Sequence, residues 1–338
     1  MPGNSFGMMF KVTTFGESHG EALGVIIDGM PGNIPVNLDD LRKELKRRAP
    51  GQHKVHTGRL EEDKPEVLSG VFENRTLGTP ITVIVKNTNQ QSKDYDLLKD
   101  QYRPGHADLT TQQKYGFRDH RGGGRASGRE TLARVIAGYF AGLVTPKISV
   151  YAYIEQIGPY RLATSPANHS VDRGEINIPD PELTKTVINF LEECKKNGES
   201  AGGIVSVSIL NCPQGLGEPV FDKLKADLAK AMLSIPACTG FALGEGFNFA
   251  SKLGSEISTT PESFGGMEGG ISNGQEIHFK ISFKAPSTVG DKAKNGRHDP
   301  CVLPRVVPVV EAMAKIVIAD HFLRQTAYGP FLALDKDQ

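Results

Sequence analysis

The chain has 338 residues, 39 Lys plus Arg against 39 Asp plus Glu, 38 glycines, 21 prolines, four cysteines and no tryptophan. With 38% apolar and 23% charged residues it has a core-forming composition, which excludes disorder along its whole length. Zero formal charge excludes bulk attraction to nucleic acid or anionic lipid, so any polyanion site must arise from a local cluster.

In chain order, β-branched alternation bounded by Gly, Pro or Asn predicts a strand over 23–28, and apolar spacing predicts a helix over 38–48. Strands follow over 67–72 and 81–86, then a helix over 129–144 and a strand over 148–154. Asp180 as N-cap, Pro181 at the first helical position and Gly198 as terminator bound a helix over 181–196. A strand over 204–210, a helix over 219–234, a strand over 276–283 and a helix over 309–325 complete the series. In the 276–283 strand Ile277, Phe279, Ile281 and Phe283 alternate with His278, Lys280 and Ser282. The elements do not alternate strictly, which favours α+β layers over a doubly wound parallel sheet. Without linker, repeat or low-complexity tract, the chain reads as one domain over 1–338, with two closely packed halves as the alternative. No apolar run approaches the roughly 20 residues of a membrane span, and the first eleven residues lack the pattern of a secretory leader. Cys194, Cys212, Cys238 and Cys301 form no C-x-x-C pair, so no zinc site or disulfide framework is expected and a cytoplasmic location fits.

The chemistry concentrates between Arg103 and Arg134, where Arg103, Lys114, Arg118, Arg121, Arg125, Arg129 and Arg134 face only Asp108, Asp119 and Glu130, a local charge of +4. Gly122, Gly123 and Gly124 lead into Ser127 and Glu130, spaced as a capping box before an apolar helical stripe. A glycine bend opening on a helix N-terminus, with Arg125 and Arg129 four apart and sharing a face, reads as an anion cradle. A solvated basic surface and an RNA-binding Arg/Gly run are the alternatives. No G-x-x-x-x-G-K-[ST] is present, and G-x-G-x-x-G fails because Ser127 stands in its last position. The 16–20 stretch matches G-x-S-x-G, but a strand rather than a helix follows it, which argues against a serine nucleophile. His19, His106 with Asp108, the Asp119-His120 pair and Asp299 lie in loops, placing proton-transfer groups around an anion site. Glycines 265, 266, 269, 270 and 274 and the Lys284-Ala285-Pro286-Ser287-Thr288 stretch suggest a second pair of loops near a ligand.

Taken together, Phe15-Gly-Glu-Ser-His-Gly20, Arg103-Pro-Gly-His-Ala-Asp108, Gln113-Lys-Tyr-Gly116, Arg118-Asp-His-Arg-Gly-Gly-Gly-Arg125, Gly269-Gly-Ile-Ser-Asn-Gly274 and Arg297-His-Asp-Pro-Cys301 closely resemble the chorismate synthase family, in family order over almost the whole chain. The resemblance implies an anti 1,4-elimination of phosphate from 5-enolpyruvylshikimate 3-phosphate to give chorismate, the last step of the shikimate pathway. It implies a requirement for reduced FMN without net redox change. By the same resemblance His19 protonates the departing phosphate, His106 protonates reduced flavin near N1, and Asp299 acts with flavin N5 in removing the ring proton. Ser18, Arg48, Arg129 and Arg297 match substrate- or phosphate-binding positions; Arg125, Ala126, Ser127, Ala237, Gly269, Lys284, Ala285, Pro286, Ser287 and Thr288 match FMN-contacting ones. Ala126 and Gly128 stand where the family more often has Ser and Ala, Ala285 to Thr288 replace a Pro-Thr-Ser-Ser pattern, and Pro236 replaces a frequent Asn. The implied fold is a β-α-β sandwich, with helices layered between antiparallel sheets, in a homotetramer. An ordinary flavin oxidoreductase is the enzymatic rival. With no dinucleotide fingerprint visible, an external supply of reduced flavin, with NADPH as reductant through a separate flavin reductase, is favoured over NADPH-driven reduction by the enzyme itself, which stays as the alternative.

Overall fold

Two antiparallel sheets take up the period-2 segments. The structure, a computed structural model, describes residues 3–51, 63–87, 102–166, 171–257, 264–294 and 299–329. β1 (Ser5–Phe6), β2 (Lys11–Phe15) and β3 (Ala22–Asp28) form a meander, followed by helix α1 (Leu38–Arg48), β4 (Pro65–Ser69), the ribbon β5 (Val71–Phe72) with β6 (Arg75–Thr76), and β7 (Ile81–Lys86). The first sheet has the order β1-β2-β3-β7-β4. Its register aligns Val12, Ile27 and Ile81 in one row and Val25 with Val83 in the next, all buried, so a one-residue slip would expose the whole face.

The chain continues through α2 (Asp108–Tyr115), α3 (Thr131–Val144), β8 (Ser149–Ile157), β9 (Tyr160–Arg161), α4 (Pro181–Asn197), β10 (Gly203–Leu210), α5 (Leu224–Leu233), β11 (Cys238–Leu243) and α6 (Gly254–Ile257). It ends with β12 (Met267–Glu268), β13 (Ile271–Ser272), β14 (Ile277–Phe283), α7 (Asp291–Lys294) and α8 (Leu303–Tyr328). The second sheet has the order β11-β14-β10-β8-β9, with Ile154, Val205, Ile281 and Phe241 in one cross-strand row. Helix α3 rests on β2 and β3, α8 rests on β8 and β10, α5 rests on β11, and α1 joins α3 and α8. The helices therefore fill the space between the sheets, the layering that the resemblance implied. Where β8 lacks a neighbouring strand, Asn177 O accepts from Ile154 N at 2.8 Å and buried Glu311 accepts from Ala152 N at 3.2 Å, which closes part of the edge.

Helices α3 and α8 cross at Gly138, where a Cβ would lie 2.4 Å from both Cα and Cβ of Ala312. Gly138→Ala is expected to destabilise the protein by about 1–3 kcal/mol through overpacking, despite alanine's better helix propensity. Equilibrium denaturation checks this, and a stability gain would contradict the close crossing.

Several elements differ from their predicted bounds. Helix α8 begins at Leu303 rather than 309 and runs through Pro308. Proline there removes the donor to Pro304 O, and Asn177 Nδ2 donates to that carbonyl instead, at 3.1 Å. Helix α5 begins at Leu224 rather than 219, because Glu218 N bonds Asp222 O in a turn. The predicted 67–72 strand divides at Gly70, whose φ of +79° turns the chain past Ile81. Helix α2 had no apolar stripe to announce it, and β11 is interrupted in sequence by Gly240.

Candidate active site

The corner between β2 and β3 carries the first two groups. Gly16, with φ +91°, brings the chain so close to Ala22 that a Cβ would lie 2.2 Å from its carbonyl oxygen. The strand that follows is the one expected from the sequence, so Ser18 does not sit on a strand-to-helix elbow. Ser18 and His19 are both buried, with Ser18 Oγ 3.1 Å from His19 Nδ1. The imidazole lies against the triglycine bend: a Cβ on Gly122 would stand 2.0 Å from His19 Nδ1 and 2.7 Å from Ser18 Oγ. Asn87, at the end of β7, donates to Gly20 O at 2.8 Å and fixes the far side of the corner.

The bend's next residue meets the second histidine. A Cβ on Gly123 would lie 2.9 Å from His106 Cε1 and 3.1 Å from Arg103 Nη2. Asp108 is 3% exposed and receives three bonds from Arg103: N to Oδ2 at 3.1 Å, Nε to Oδ2 at 2.8 Å and Nη2 to Oδ1 at 2.9 Å. Its Oδ1 also lies 2.9 Å from His106 Nδ1. Burial opposes ionisation of Asp108, but the Arg103 hydrogen bonds and charge outweigh it and hold the carboxyl well below the usual carboxylate range. His106 is shifted below its ordinary 6.5, first by burial and then by Arg103 and Lys284, with Asp108 acting the other way.

The 284–288 loop closes on the same place. Lys284 Nζ donates to Ser287 Oγ at 2.7 Å, and Ser287 Oγ is the atom that a Cβ on Gly105 would approach to 3.0 Å. Lys284 N bonds Ala237 O, and Pro286 O accepts from Ser200 Oγ at 2.7 Å. Ala285 N lies beside Gly202, and Ala201 N bonds Pro300 O, which brings the 299–301 stretch to this edge. Thr288 ends the loop.

A buried ion network underlies the cradle. Arg48, 1% exposed at the end of α1, donates to Asp63 Oδ2 at 2.5 Å, and Arg129 Nη1 donates to Asp63 Oδ1 at 3.0 Å. Arg129 Nε reaches Asn87 Oδ1 at 2.6 Å, linking the network to the His19 corner. Asp299 pairs with Arg305, whose Nε donates to Arg48 O at 3.3 Å. Asp63, Asn87 and Arg305 were not read as site residues from the sequence. The one signal for them was the need of arginines this deeply buried for carboxylate and carbonyl partners.

Two local expectations are corrected. Arg125 and Arg129 do not share a helix face, because α3 starts only at Thr131 and extended Ser127 separates the short 3₁₀ turns Gly124–Ala126 and Gly128–Glu130. Arg125 instead turns to β2, donating to Gly16 O at 3.1 Å and to Thr14 Oγ1 at 2.6 Å. The capping box forms only in half. Ser127 Oγ accepts from Arg129 N, but Glu130 turns away to Thr14 and Arg134. The N–H groups of Ala126, Ser127, Arg129 and Glu130 bond within the segment, so the positive field comes chiefly from side chains and not from a helix terminus. These arginines sit in a folded, ion-paired scaffold, unlike a solvated RNA-binding run.

Contacts thus join Ser18, His19 and His106 to the 122–124 bend, Ser287 to Gly105, Ala237 to Lys284, and Arg48 to Arg129 through Asp63 and to Asp299 through Arg305. Arg297 lies outside the described residues. Gly269 occupies the β12–β13 turn, where the neighbouring Gly270 O accepts from Leu224 N at the start of α5.

A sequence model of the family described as chorismate synthase matches residues 10–323. The chain is 47% identical to a protein named chorismate synthase from Cytophaga hutchinsonii, covering 96% of this chain and 98% of the relative. It is 48% identical to one of the same name from Flavobacterium psychrophilum, covering 97% and 99%. A solved structure described as chorismate synthase superposes with a TM-score of 0.77 at 29% identity, covering 97% of this chain and 95% of that one.

Proposed function

The chain belongs to the chorismate synthase family, and from that premise we propose which residues carry the reaction and what it requires. The reaction is the 1,4-elimination that converts 5-enolpyruvylshikimate 3-phosphate to chorismate and inorganic phosphate, in the shikimate pathway to the aromatic amino acids. The observation carrying the site assignment is that one glycine bend touches both imidazoles, His19 at Gly122 and His106 at Gly123.

In this reading Arg48, Arg129 and Ser18 hold the substrate phosphate, and His19 gives the departing oxygen its hydrogen bond and proton. Asp299 takes the ring proton, steered by Arg305. The charge developing on phosphate is met by guanidinium groups already fixed by Asp63, so little reorganisation accompanies bond breaking.

The donor set fits FMN. Gly122, Gly123 and Gly105 make room for His19, His106 and Ser287 beside the bend, while Arg103 and Lys284 supply cationic groups there. Arg125 to Ser127, Ala237 and 284–288 would hold the cofactor, with Arg125 contributing through its backbone because its guanidinium is engaged by β2. Bound there, reduced FMN would supply transient electron density to the reacting ring without net oxidation.

The proposal extends to one domain over 1–338, working in the cytoplasm as a homotetramer with reductant supplied by a separate NADPH-dependent flavin reductase. Described Cys194, Cys212, Cys238 and Cys301 are free thiols, which suits a reducing compartment. No helix among the described residues is long and apolar enough to cross a membrane.

Anaerobic incubation of the enzyme with substrate and reduced FMN is expected to release one phosphate per chorismate formed, with the flavin still reduced at the end. Elimination at full rate without flavin, or stoichiometric flavin oxidation, would overturn the cofactor assignment.

A further inference from the structure

We propose that Asn87 is a positioning residue that sets the His19 corner in register with Arg129, so that the group holding the substrate phosphate and the group protonating it on departure keep one fixed separation. The inference deepens the reading above and rests on it for the catalytic consequence; the link itself is a property of this chain's geometry.

His19 stands in the middle of a tight turn. Gly20 N donates to Glu17 O at 3.0 Å, which closes a four-residue turn with Ser18 and His19 at its centre. One side of the turn rests on the triglycine bend, where Ser18 N reaches Gly124 O at 3.4 Å and the His19 ring lies over Gly122. Asn87, just past the end of β7, holds the other side. Its backbone N donates to Glu21 O at 2.9 Å, its Nδ2 donates to Gly20 O at 2.8 Å, and the same nitrogen lies 3.5 Å from Glu17 O. The amide thus meets both carbonyls that end the turn. Its Oδ1 accepts from Arg129 Nε at 2.6 Å, while Arg129 Nη1 is held by Asp63.

These partners have opposite demands. Arg129 can only donate and a backbone carbonyl can only accept, which fixes the amide with Oδ1 towards the guanidinium and Nδ2 towards the corner. A carboxylate at this position keeps the first bond and replaces the second by two oxygens facing each other. Alanine removes both bonds, yet leaves Arg129 charged and paired with Asp63. Attraction for phosphate then survives while the turn loses its register. A shift of about 1 Å between reacting groups is enough to cost about 100-fold in rate, so the loss falls on turnover and not on binding.

The first test is kinetic. In Asn87→Ala, kcat for elimination is expected to fall by about 30- to 100-fold with KM for substrate within about threefold, a split that a merely destabilised fold would not produce. Asn87→Asp, which keeps the acceptor for Arg129 but not the donor for Gly20 O, is expected to lose kcat to a similar degree, and it carries the test if Asn87→Ala fails to fold. The second test reads the link without turnover, in flavin-free full-length enzyme labelled with ¹⁵N-histidine, with His19 assigned by its disappearance in His19→Gln. Arg129→Lys keeps the charge and loses the Nε donor. It is expected to displace the His19 ring signals in the otherwise wild-type chain and to leave them unmoved in either Asn87 variant. Unchanged kcat in Asn87→Asp, a rise in KM alone in Asn87→Ala, or equal displacement of the His19 signals with and without Asn87 would each overturn the inference. His19→Gln with wild-type kcat would instead overturn the reading above, and the signal displacements would still decide whether Asn87 makes the link.

Discussion

Gly122→Ala is expected to lower kcat by about 100-fold or more while leaving the protein folded. The added methyl group would have to occupy a point 2.0 Å from His19 Nδ1 and 2.1 Å from Cε1, so the imidazole must leave its place. The backbone compounds the problem, since φ at Gly122 is +64°, a conformation that alanine adopts only under strain. A double-mutant cycle separates the two effects. If Gly122 matters because it seats His19, then Gly122→Ala combined with His19→Ala should be scarcely slower than His19→Ala alone. Additive losses would show that the bend itself, and not the ring lying on it, carries the effect. Activity within tenfold of wild type in the single variant would contradict the contact.

How much of this was legible in the sequence depends on whether a signal was local. Asp180, Pro181 and Gly198 announced α4 correctly because a cap and a left-handed terminator act within a few residues, and Asp180 indeed accepts from Glu182 N and Leu183 N. The loops carrying His19, His106 and the triglycine were identifiable because each is a short dense motif. What could not be read was where long side chains go. Arg125 and Arg129 are four apart, yet Ser127 breaks the turn between them and sends one to β2 and the other to Asp63. The start of helix α8 at Leu303, ahead of Pro308, is not legible locally, because the compensating donor, Asn177, is 127 residues from Pro304. Its buried residues also surround it on all sides, which erases the periodic stripe on which a reading of amphipathic helices relies.

Asp63 shows the same limit most sharply and yields the second large expectation. As one acidic residue it carried no motif, but it is the anion that holds Arg48 and Arg129 together, with its side chain 2% exposed. Asp63→Asn keeps the shape and removes the charge, leaving two buried guanidinium groups facing a neutral amide. The ligand-free enzyme is expected to lose about 3–5 kcal/mol, since breaking one side of a buried ion pair leaves charge uncompensated. A purely structural pair would show that loss equally with and without substrate. If Arg48 and Arg129 receive the substrate phosphate, saturating substrate should restore much of the missing negative charge, and the Tm gap between variant and wild type should narrow. A gap unchanged by substrate would confine the pair to the scaffold and move phosphate recognition elsewhere on the cradle. The comparison is informative because both arginines are already fixed before ligand arrives: Arg129 by Asn87 and Arg48 at the end of α1, so the response to anion reports on charge and not on ordering of mobile side chains.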